Sequence, residues 1–342
     1  MNCLPAHRHP DWHWPTFEDV LCGTMTDGER LGLPEYYVAD RFGPRLPEAY
    51  ERLRGLGRNA LATLCEDARA PLIDRLAAGN LLALLGDPRI DTCNPVMIAI
   101  AGRSVEIGLS AADLDAVLAR YPKLGLERKW FEKECPRHTV NLEPYAIGKY
   151  PVTNQEYRDF LLDTRYVELP SSWTFRRYPQ EFSNHPVYTL SPDAADAYTG
   201  WMAKITGRAF RLPTEAEWEF AAAGPASFEF PWGQDFDADR TNTAETGLFQ
   251  SSAVGVFVDG NSPFGVADMA GNVEEYVSDA YAAYPGGSFI TDHLVEIHGG
   301  YRVARGGSFA RFRDLARTRR RHGHNPRSVA YAMGFRLAEN LH

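Results

Sequence analysis

The sequence predicts an α+β fold rich in irregular loops, preceded by a small α-helical N-terminal region. Capped amphipathic segments indicate short helices, and weakly alternating segments indicate short strands. Beyond residue 224, Gly, Pro, Asn and Asp are frequent and long periodic segments are few, which is typical of loops. We therefore divide the 342 residues into an irregular N-terminal arm (1–45), a helical region (46–94) and an α+β domain (95–342).

The clearest element is a helix that follows Leu212 and Pro213. Thr214 and Glu217 have the spacing of a capping box, in which each residue bonds the other's backbone amide. Gly224 ends the helix, because glycine readily adopts the left-handed conformation of a helix terminus.

Other segments predict further elements. Thr153 and Glu156 form a second capping box, and Ser191 with Pro192 begins a third helix that runs to about residue 205. Leucines at helical spacing over 47–85 predict the N-terminal helices. The remaining predicted elements are a first strand over 96–108, a short helical insertion over 110–126 and a return to strand over 136–147.

Composition excludes some functions. A net charge of −9 argues against general nucleic-acid binding. The chain has no apolar run of membrane-spanning length, and nothing at its N-terminus resembles a signal peptide. The five cysteines are odd in number and form no metal-type cluster, so we predict reduced thiols in a cytoplasmic protein.

Six ordered blocks resemble the formylglycine-generating-enzyme-like superfamily. They lie at 147–157, 185–187, 210–224, 231–233 and 265–275, with the last at 305–309 (Arg-Gly-Gly-Ser-Phe) closing at 334–336 (Gly-Phe-Arg). The superfamily includes formylglycine-generating enzymes, the C-terminal half of ergothioneine sulfoxide synthases, a pyoverdine-maturation oxidase and hypervariable ligand-binding proteins. The resemblance implies a C-type-lectin-like fold, but it does not settle the chemistry, because one fold hosts several activities.

Two metal sites follow from the resemblance. True formylglycine-generating enzymes hold copper with two cysteines between the last two blocks, and residues 308–334 contain none. We therefore expect neither that copper site nor that activity. The superfamily's calcium loop matches the side chains of Asp268 and Glu275 and the carbonyls of Gly271 and Val273. The alternative is a metal-free turn in which Asp268 and Asn272 bond backbone amides.

Iron is a further cofactor to consider. In ergothioneine synthases, iron-binding histidines come from a separate helical domain, whereas His7, His9 and His13 lie in the predicted irregular arm of this chain. A second candidate set of iron-binding, catalytic residues lies in the last 50 residues. In a strand, alternation would place Glu296 and His298 on one face, and likewise His322 and His324. The alternative is that these histidines only make hydrogen bonds to nearby groups.

Ten arginines and one acid lie between residues 299 and 336. Arginine presents a planar fork that matches carboxylate, sulfate or phosphate. In the superfamily this segment lines the ligand groove, so we predict an anionic ligand and select Arg313, Arg317 and Arg321 as its contacts. The alternative pairs these arginines with the chain's own acids, as we expect for Arg305 and Arg336.

Two functions remain open. The first is an oxidase or oxygenase that acts on a small anionic or peptidic substrate in the biosynthesis of a specialised metabolite. The second is a non-catalytic binding module with a lectin-like groove, of the kind found in retroelement-variable proteins. The N-terminal helices are predicted to offer a surface for a protein partner in either case.

Overall fold

The computed structural model describes residues 41–121, 124, 126–323 and 331–341. Most of the predicted irregular arm lies outside these residues, with its histidines and with Cys3 and Cys22. His324 and Arg327 also lie outside the described residues.

The helices are short, and the three with clear capping signals in the sequence are confirmed. They are α1 (Leu46–Leu53), α2 (Arg58–Cys65), α3 (Leu72–Leu85), α4 (Leu114–Leu118), α5 (Arg128–Glu132), α6 (Asn154–Thr164), α7 (Pro192–Thr206), α8 (Glu215–Ala223) and α9 (His293–His298). Helices α6 and α8 each begin with the predicted capping box, and Ser191 caps α7. Within the described residues, no helix is both long and apolar enough to cross a membrane.

In the part of the chain that the structure describes, ten short strands form three small sheets. They are β1 (Met97–Ile100), β2 (Arg103–Ile107), β3 (His138–Leu142), β4 (Tyr145–Gly148), β5 (Phe210–Arg211), β6 (Glu274–Ala280), β7 (Arg302–Arg305), β8 (His322–Gly323), β9 (Met333–Phe335) and β10 (Ala338–Asn340). The sheet orders are β1-β4-β10-β5, β2-β3 and β8-β7-β6-β9. Strands β6 and β9 run parallel, whereas the other pairs are antiparallel.

Three segments differ from the sequence-based expectations. Residues 96–108 and 136–147 each form two strands rather than one. In each segment the first strand ends, and the chain crosses to a different sheet before the second strand begins. The predicted strand at 292–298 is instead helix α9. Asp292 caps it by accepting a bond from the Val295 amide (3.0 Å), and Gly299 ends it with φ +74°.

The β8-β7-β6-β9 sheet contributes to two hydrophobic cores. Tyr276 and Phe335 pack with residues of α6 and α7, while Val277 and Val303 pack with Trp218 of α8. Full burial of each large apolar side chain contributes roughly 1.5–3 kcal/mol. The two cores fix the sheet from both sides.

The N-terminal helices share a third core with the α+β domain. Leu76 and Leu82 of α3 belong to the same buried cluster as Val256 and Phe257. At Gly79 the helix approaches so closely that a Cβ would lie 2.6 Å from the Ala253 side chain. One face of the helical region is therefore integral to the domain, and a protein partner on its remaining surface stays a prediction.

Candidate active site

Two adjacent carboxylates, Glu274 and Glu275, begin strand β6. Successive residues of a strand point to opposite faces of the sheet, so these side chains enter different surroundings. Both side chains are buried. A buried carboxylate requires partners, and comparing those partners separates a structural face from a candidate active site.

Glu275 is fully engaged by neighbouring side chains. Its carboxylate accepts bonds from Arg336 Nε (2.5 Å) and Nη2 (2.6 Å) and from Trp218 Nε1 (2.7 Å). The expected pairing of Arg336 with a buried carboxylate is confirmed. These bonds occupy the side chain that was predicted to bind calcium, so Glu275 does not fit that role.

The rest of the predicted calcium loop is held by hydrogen bonds. Asp268 Oδ2 accepts a bond from the Gly255 amide at 2.7 Å, and burial raises the pKa of this carboxyl to about 6. At Gly271, φ is +76° and a Cβ would lie 2.4 Å from a backbone carbonyl oxygen. Val273 is a buried apolar residue of the same segment. This arrangement favours the metal-free turn.

The loop holds the Arg-Gly-Gly-Ser-Phe block in place. The Gly271 amide donates to the carbonyl of Gly306 (2.7 Å), and the Phe309 amide donates to the carbonyl of Asn272 (3.0 Å). The Asn272 side chain in turn bonds the backbone of Ser252. The loop therefore orders the segment that carries Ser308.

Glu274 faces the other side of the sheet and pairs with His322. The distance between Glu274 Oε2 and His322 Nδ1 is 2.5 Å. His322 pairs with Ala304 across β8 and β7, and Ala304 pairs with Tyr276, two residues beyond Glu274 on β6. Sheet register thus brings the imidazole and the carboxylate onto one face.

The charges of this pair follow from its surroundings. Burial lowers the pKa of His322 to about 4, so the ring is neutral near pH 7. Burial alone would raise the pKa of Glu274, but the adjacent His322 and Arg311 have the larger, opposite effect. The pKa of this carboxyl therefore lies below its usual range. A neutral imidazole that donates from Nδ1 to a carboxylate keeps a basic lone pair on Nε2.

Several buried polar atoms of Glu274 and of the segment that carries Ser308 and Arg311 lack a hydrogen-bond partner in the described part of the chain. They are Glu274 Oε1, Ser308 Oγ, and Nε and Nη2 of Arg311. Arg311 Nε lies 3.6 Å from Glu274 Oε1, which is too long for a hydrogen bond. Buried groups left in this way cost about 1–3 kcal/mol each, so the arrangement suits a polar ligand.

Tyr331 completes what we call the Glu274 cluster (Glu274, Ser308, Arg311, His322 and Tyr331). The Arg311 guanidinium lies over the Tyr331 ring at 4.3 Å, and the His322 ring stacks on it at 5.5 Å. The Arg311 amide donates to the Ser308 carbonyl at 2.9 Å. The cluster therefore combines a base, a cation and a hydroxyl.

Two of the three arginines selected as ligand contacts instead form ion pairs with buried carboxylates of the chain. Arg317 is fully buried and donates to both oxygens of Glu134 at 2.9 Å, and it also bonds Glu229. Arg321 bonds Glu215 at 2.7 and 2.9 Å. The buried carboxylates use these guanidinium groups, so the selection of both arginines as ligand contacts is not supported.

Arg313 is half-buried and has different surroundings. Its guanidinium lies over the rings of Tyr121 (5.7 Å) and Phe236 (5.8 Å). Its backbone amide donates to Glu245. Its role in ligand binding stays a prediction.

The predicted catalytic histidines are only partly brought to the site. Glu296 and His298 lie on helix α9, where residues two apart occupy different faces, and Glu296 is exposed. His322 is in the Glu274 cluster, and His324 lies outside the described residues. Across the described residues, no group of three or more His, Cys, Asp or Glu side chains is arranged to hold a metal ion.

Sequence reasoning missed Glu274 and Arg311 as site residues. The resemblance implies a role for Glu275 and not for its neighbour Glu274, although strand alternation places only one of the two on each face. Arg311 belongs to the arginine run, but it differs from Arg317 and Arg321 because, among the described residues, no carboxylate lies within hydrogen-bond distance of it; Glu274 is 3.6 Å away.

The family assignment rests on a match over most of the chain. The model of the sulfatase-modifying factor enzyme 1-like domain matches residues 87–341. The chain belongs to this family. The resemblance to the formylglycine-generating-enzyme-like superfamily is thereby confirmed.

Relatives of this sulfatase-modifying factor enzyme 1-like chain carry the names of a kinase, an inactive enzyme and an oxygenase. Serine/threonine-protein kinase Pkn1 of Chlamydia pneumoniae is 33% identical over 230 residues, which cover 61% of this chain and 35% of that protein. Inactive Cα-formylglycine-generating enzyme 2 of Mus musculus is 27% identical, covering 76% and 92%. Hercynine oxygenase of Mycolicibacterium smegmatis is 28% identical, covering 74% and 65%. The match therefore spans about a third of the length of the Chlamydia relative.

Solved structures confirm the predicted fold class. PvdO from Pseudomonas aeruginosa has a TM-score of 0.55 and 25% identity, covering 73% of this chain and 95% of that one. Treponema denticola variable protein 1 has a TM-score of 0.52 and 20% identity, covering 72% and 95%. The second likeness concerns the fold alone.

Proposed function

We propose that this chain is an oxygenase-type enzyme that acts on a small anionic or peptidic substrate at the Glu274 cluster. The observation that carries the proposal is the His322–Glu274 pair beside the unmatched polar atoms of Arg311 and Ser308. The relative named hercynine oxygenase supports this reaction class. We further propose a cytoplasmic role in the biosynthesis of a specialised metabolite.

Each residue of the cluster has a chemical role in this proposal. His322 Nε2 accepts a proton from the substrate, and Glu274 stabilises the imidazolium that forms. Arg311 binds an anionic group of the substrate through its Nε and Nη2 edge. Ser308 donates or accepts one hydrogen bond.

The metals considered from the sequence fit the described residues poorly. Calcium would need Glu275, whose oxygens bond Arg336 and Trp218. Iron would need several ligands, and the described residues supply His322 without a set of three. We therefore derive no step through a metal, and molecular oxygen enters the proposal only as the co-substrate of the oxygenase class.

Oxygen consumption tests this proposal. The purified chain is incubated in air with hercynine, histidine, tyrosine or a cysteine-containing peptide, with and without added iron. We expect uptake with at least one substrate, lost in His322→Gln and kept in the matched variant His293→Gln. His293 is a half-buried histidine whose ring packs against Trp130. Equal rates in wild type and His322→Gln would overturn the assignment of the base.

A binding module is the second candidate, because the unmatched atoms of Arg311 and Ser308 suit a bound ligand whether or not that ligand is turned over. The relative whose name calls it an inactive enzyme supports a non-catalytic role. Binding of an anionic probe that depends on Arg311, without oxygen uptake from any substrate, would favour this function over the enzyme.

A further inference from the structure

The segment that carries Arg311 is attached to the 3₁₀ turn Ala244–Thr246. The Ala244 amide donates to the carbonyl of Arg311 at 2.9 Å. The amide of Arg313 donates to Glu245 Oε1 at 2.8 Å. Two adjacent residues of the turn therefore hold the backbone of Arg311 and the amide two residues further on.

The turn is itself anchored by hydrogen bonds. Thr246 Oγ1 accepts a bond from the Thr243 amide (3.0 Å) and donates to the Thr241 carbonyl (2.8 Å). The Thr241 hydroxyl in turn donates to the carbonyl of Ala270 at 2.6 Å. The turn is thus fixed to the loop that precedes β6 and provides a firm support for the Arg311 segment.

Glu245 is incompletely paired for a half-buried carboxylate. Its Oε2 is buried and has no hydrogen-bond partner in the described part of the chain. Burial raises the pKa of this carboxyl to about 7, although the nearby Arg313 opposes the shift. A buried oxygen without a partner is unfavourable for stability. The other oxygen makes the bond that holds the Arg311 segment.

The direction of the Arg311 donors depends on the backbone that carries them. The guanidinium lies over the Tyr331 ring at 4.3 Å, and its Nε is 3.6 Å from Glu274 Oε1. Neither contact fixes a direction as a hydrogen bond would. The bonds that Ala244 and Glu245 make to this segment therefore determine where the Arg311 donors lie.

We propose that Glu245 is a positioning residue, whose bond to the Arg313 amide keeps the Arg311 guanidinium in place for an anionic ligand. Glu245 acts through the backbone of the segment and not through contact with the ligand. The inference rests on the proposed function, because Arg311 supplies the anion contact there. It requires that an anion binds only while the Glu245–Arg313 bond is closed.

Hydrogen exchange of the Arg313 amide in the wild-type chain tests this coupling without a substitution. In acetate at ten times its Kd, with sodium chloride balancing the ionic strength, the exchange should slow about tenfold. The Ser191 amide, which donates to Glu168 Oε1 at 2.6 Å, is the matched control and should exchange at an unchanged rate. Equal slowing of both amides, or none at Arg313, would overturn the inference.

Two variants of Glu245 separate the hydrogen-bond acceptor from the size of the side chain. Glu245→Met lacks an acceptor and should bind acetate about fivefold more weakly at pH 8, the ratio expected for one hydrogen bond of ordinary strength. Glu245→Gln keeps an oxygen for the Arg313 amide and should remain within about twofold of wild type. Normal affinity in Glu245→Met, or equal losses in the two variants, would contradict the positioning role.

Two further variants serve as controls for acetate binding. Glu168→Met removes the matched carboxylate from the Ser191 amide and should bind acetate like wild type. Arg311→Met separates this inference from the proposed function. Weak binding in Arg311→Met with normal binding in Glu245→Met would overturn the positioning role alone. Normal binding in Arg311→Met would overturn the anion site and the inference together.

Discussion

Glu274 and Glu275 are neighbours in the sequence and have opposite surroundings. Glu275 receives three hydrogen bonds from Arg336 and Trp218, whereas Glu274 bonds His322 through one oxygen and has the other unmatched. Both are buried, so exposure does not separate them. What separates them is whether the surrounding side chains complete their hydrogen bonds.

The same contrast extends over the two faces of the sheet. On the Glu275 face, the adjacent Arg305 is also paired, with Glu215 and Glu219. On the Glu274 face, His322 and Arg311 retain binding capacity. Complete pairing stabilises a fold, and incomplete pairing of buried groups suits a ligand. The comparison therefore assigns stability to one face and function to the other.

The largest effect is expected from breaking the complete pair. Arg336→Met leaves Glu275 as a buried charge without a guanidinium, and should lower the free energy of unfolding by about 3–5 kcal/mol. Guanidinium chloride denaturation measures this change. Arg211→Met, which breaks the more exposed pair with Glu217, should cost about 1 kcal/mol or less. Similar losses in the two variants would contradict the comparison.

Next in size is the loss of the proposed base. His322→Gln should lower the turnover of an accepted substrate by at least about 100-fold, as removal of a general base does. Its free energy of unfolding should fall by much less than that of Arg336→Met. Steady-state oxygen uptake and denaturation are measured on the same preparations. A variant that loses activity only because it unfolds would refute the assignment of His322 to the functional face.

Stability should also depend on pH through His322. Its pKa is about 4 in the folded chain and near 6.5 when unfolded, so between these values the unfolded state binds one more proton. The stability that depends on a neutral His322 ring is fully present above pH 6.5 and is lost progressively as the pH falls toward 4. Between pH 7 and 5, wild type should lose about 2 kcal/mol more than His322→Gln. Parallel pH profiles for the two proteins would exclude the predicted shift.

A smaller effect is expected at the anion contact. Arg311→Met should weaken the binding of a carboxylate probe about tenfold, since hydrogen bonds to charged groups contribute about 1.5–3 kcal/mol. Isothermal titration calorimetry measures the affinity. Arg302→Met, which breaks a pair with Asp196 near the surface, provides the control and should bind the probe like wild type. A normal affinity in Arg311→Met would remove this residue from the site.

Much of the fold was predictable because its signals are local. The capping boxes of Thr153 and Thr214 and the cap at Ser191 lie within four residues of the amides they bond. Helix α9 was missed although Asp292 and Gly299 flank it, because alternation of its polar residues was interpreted as a strand. Short segments permit both interpretations, and the bond from Val295 to Asp292 decides between them.

The site depended on long-range pairing that no local pattern contains. Glu274 and His322 are 48 residues apart and meet only because β8, β7 and β6 are adjacent in the sheet. Similarly, Arg317 is separated from Glu134 by 183 positions. The arginine run predicted positive charge, but it did not indicate which guanidinium groups the chain itself neutralises.

The most direct test compares Glu274→Gln with Glu275→Gln in guanidinium chloride denaturation at pH 7. Each substitution removes one buried charge from adjacent positions without changing the size of the side chain appreciably. We predict a loss of about 3–5 kcal/mol for Glu275→Gln and a clearly smaller loss for Glu274→Gln, because fewer hydrogen bonds are broken there. Equal losses, or a larger loss at Glu274, would contradict the division of the sheet into a structural face and a functional face.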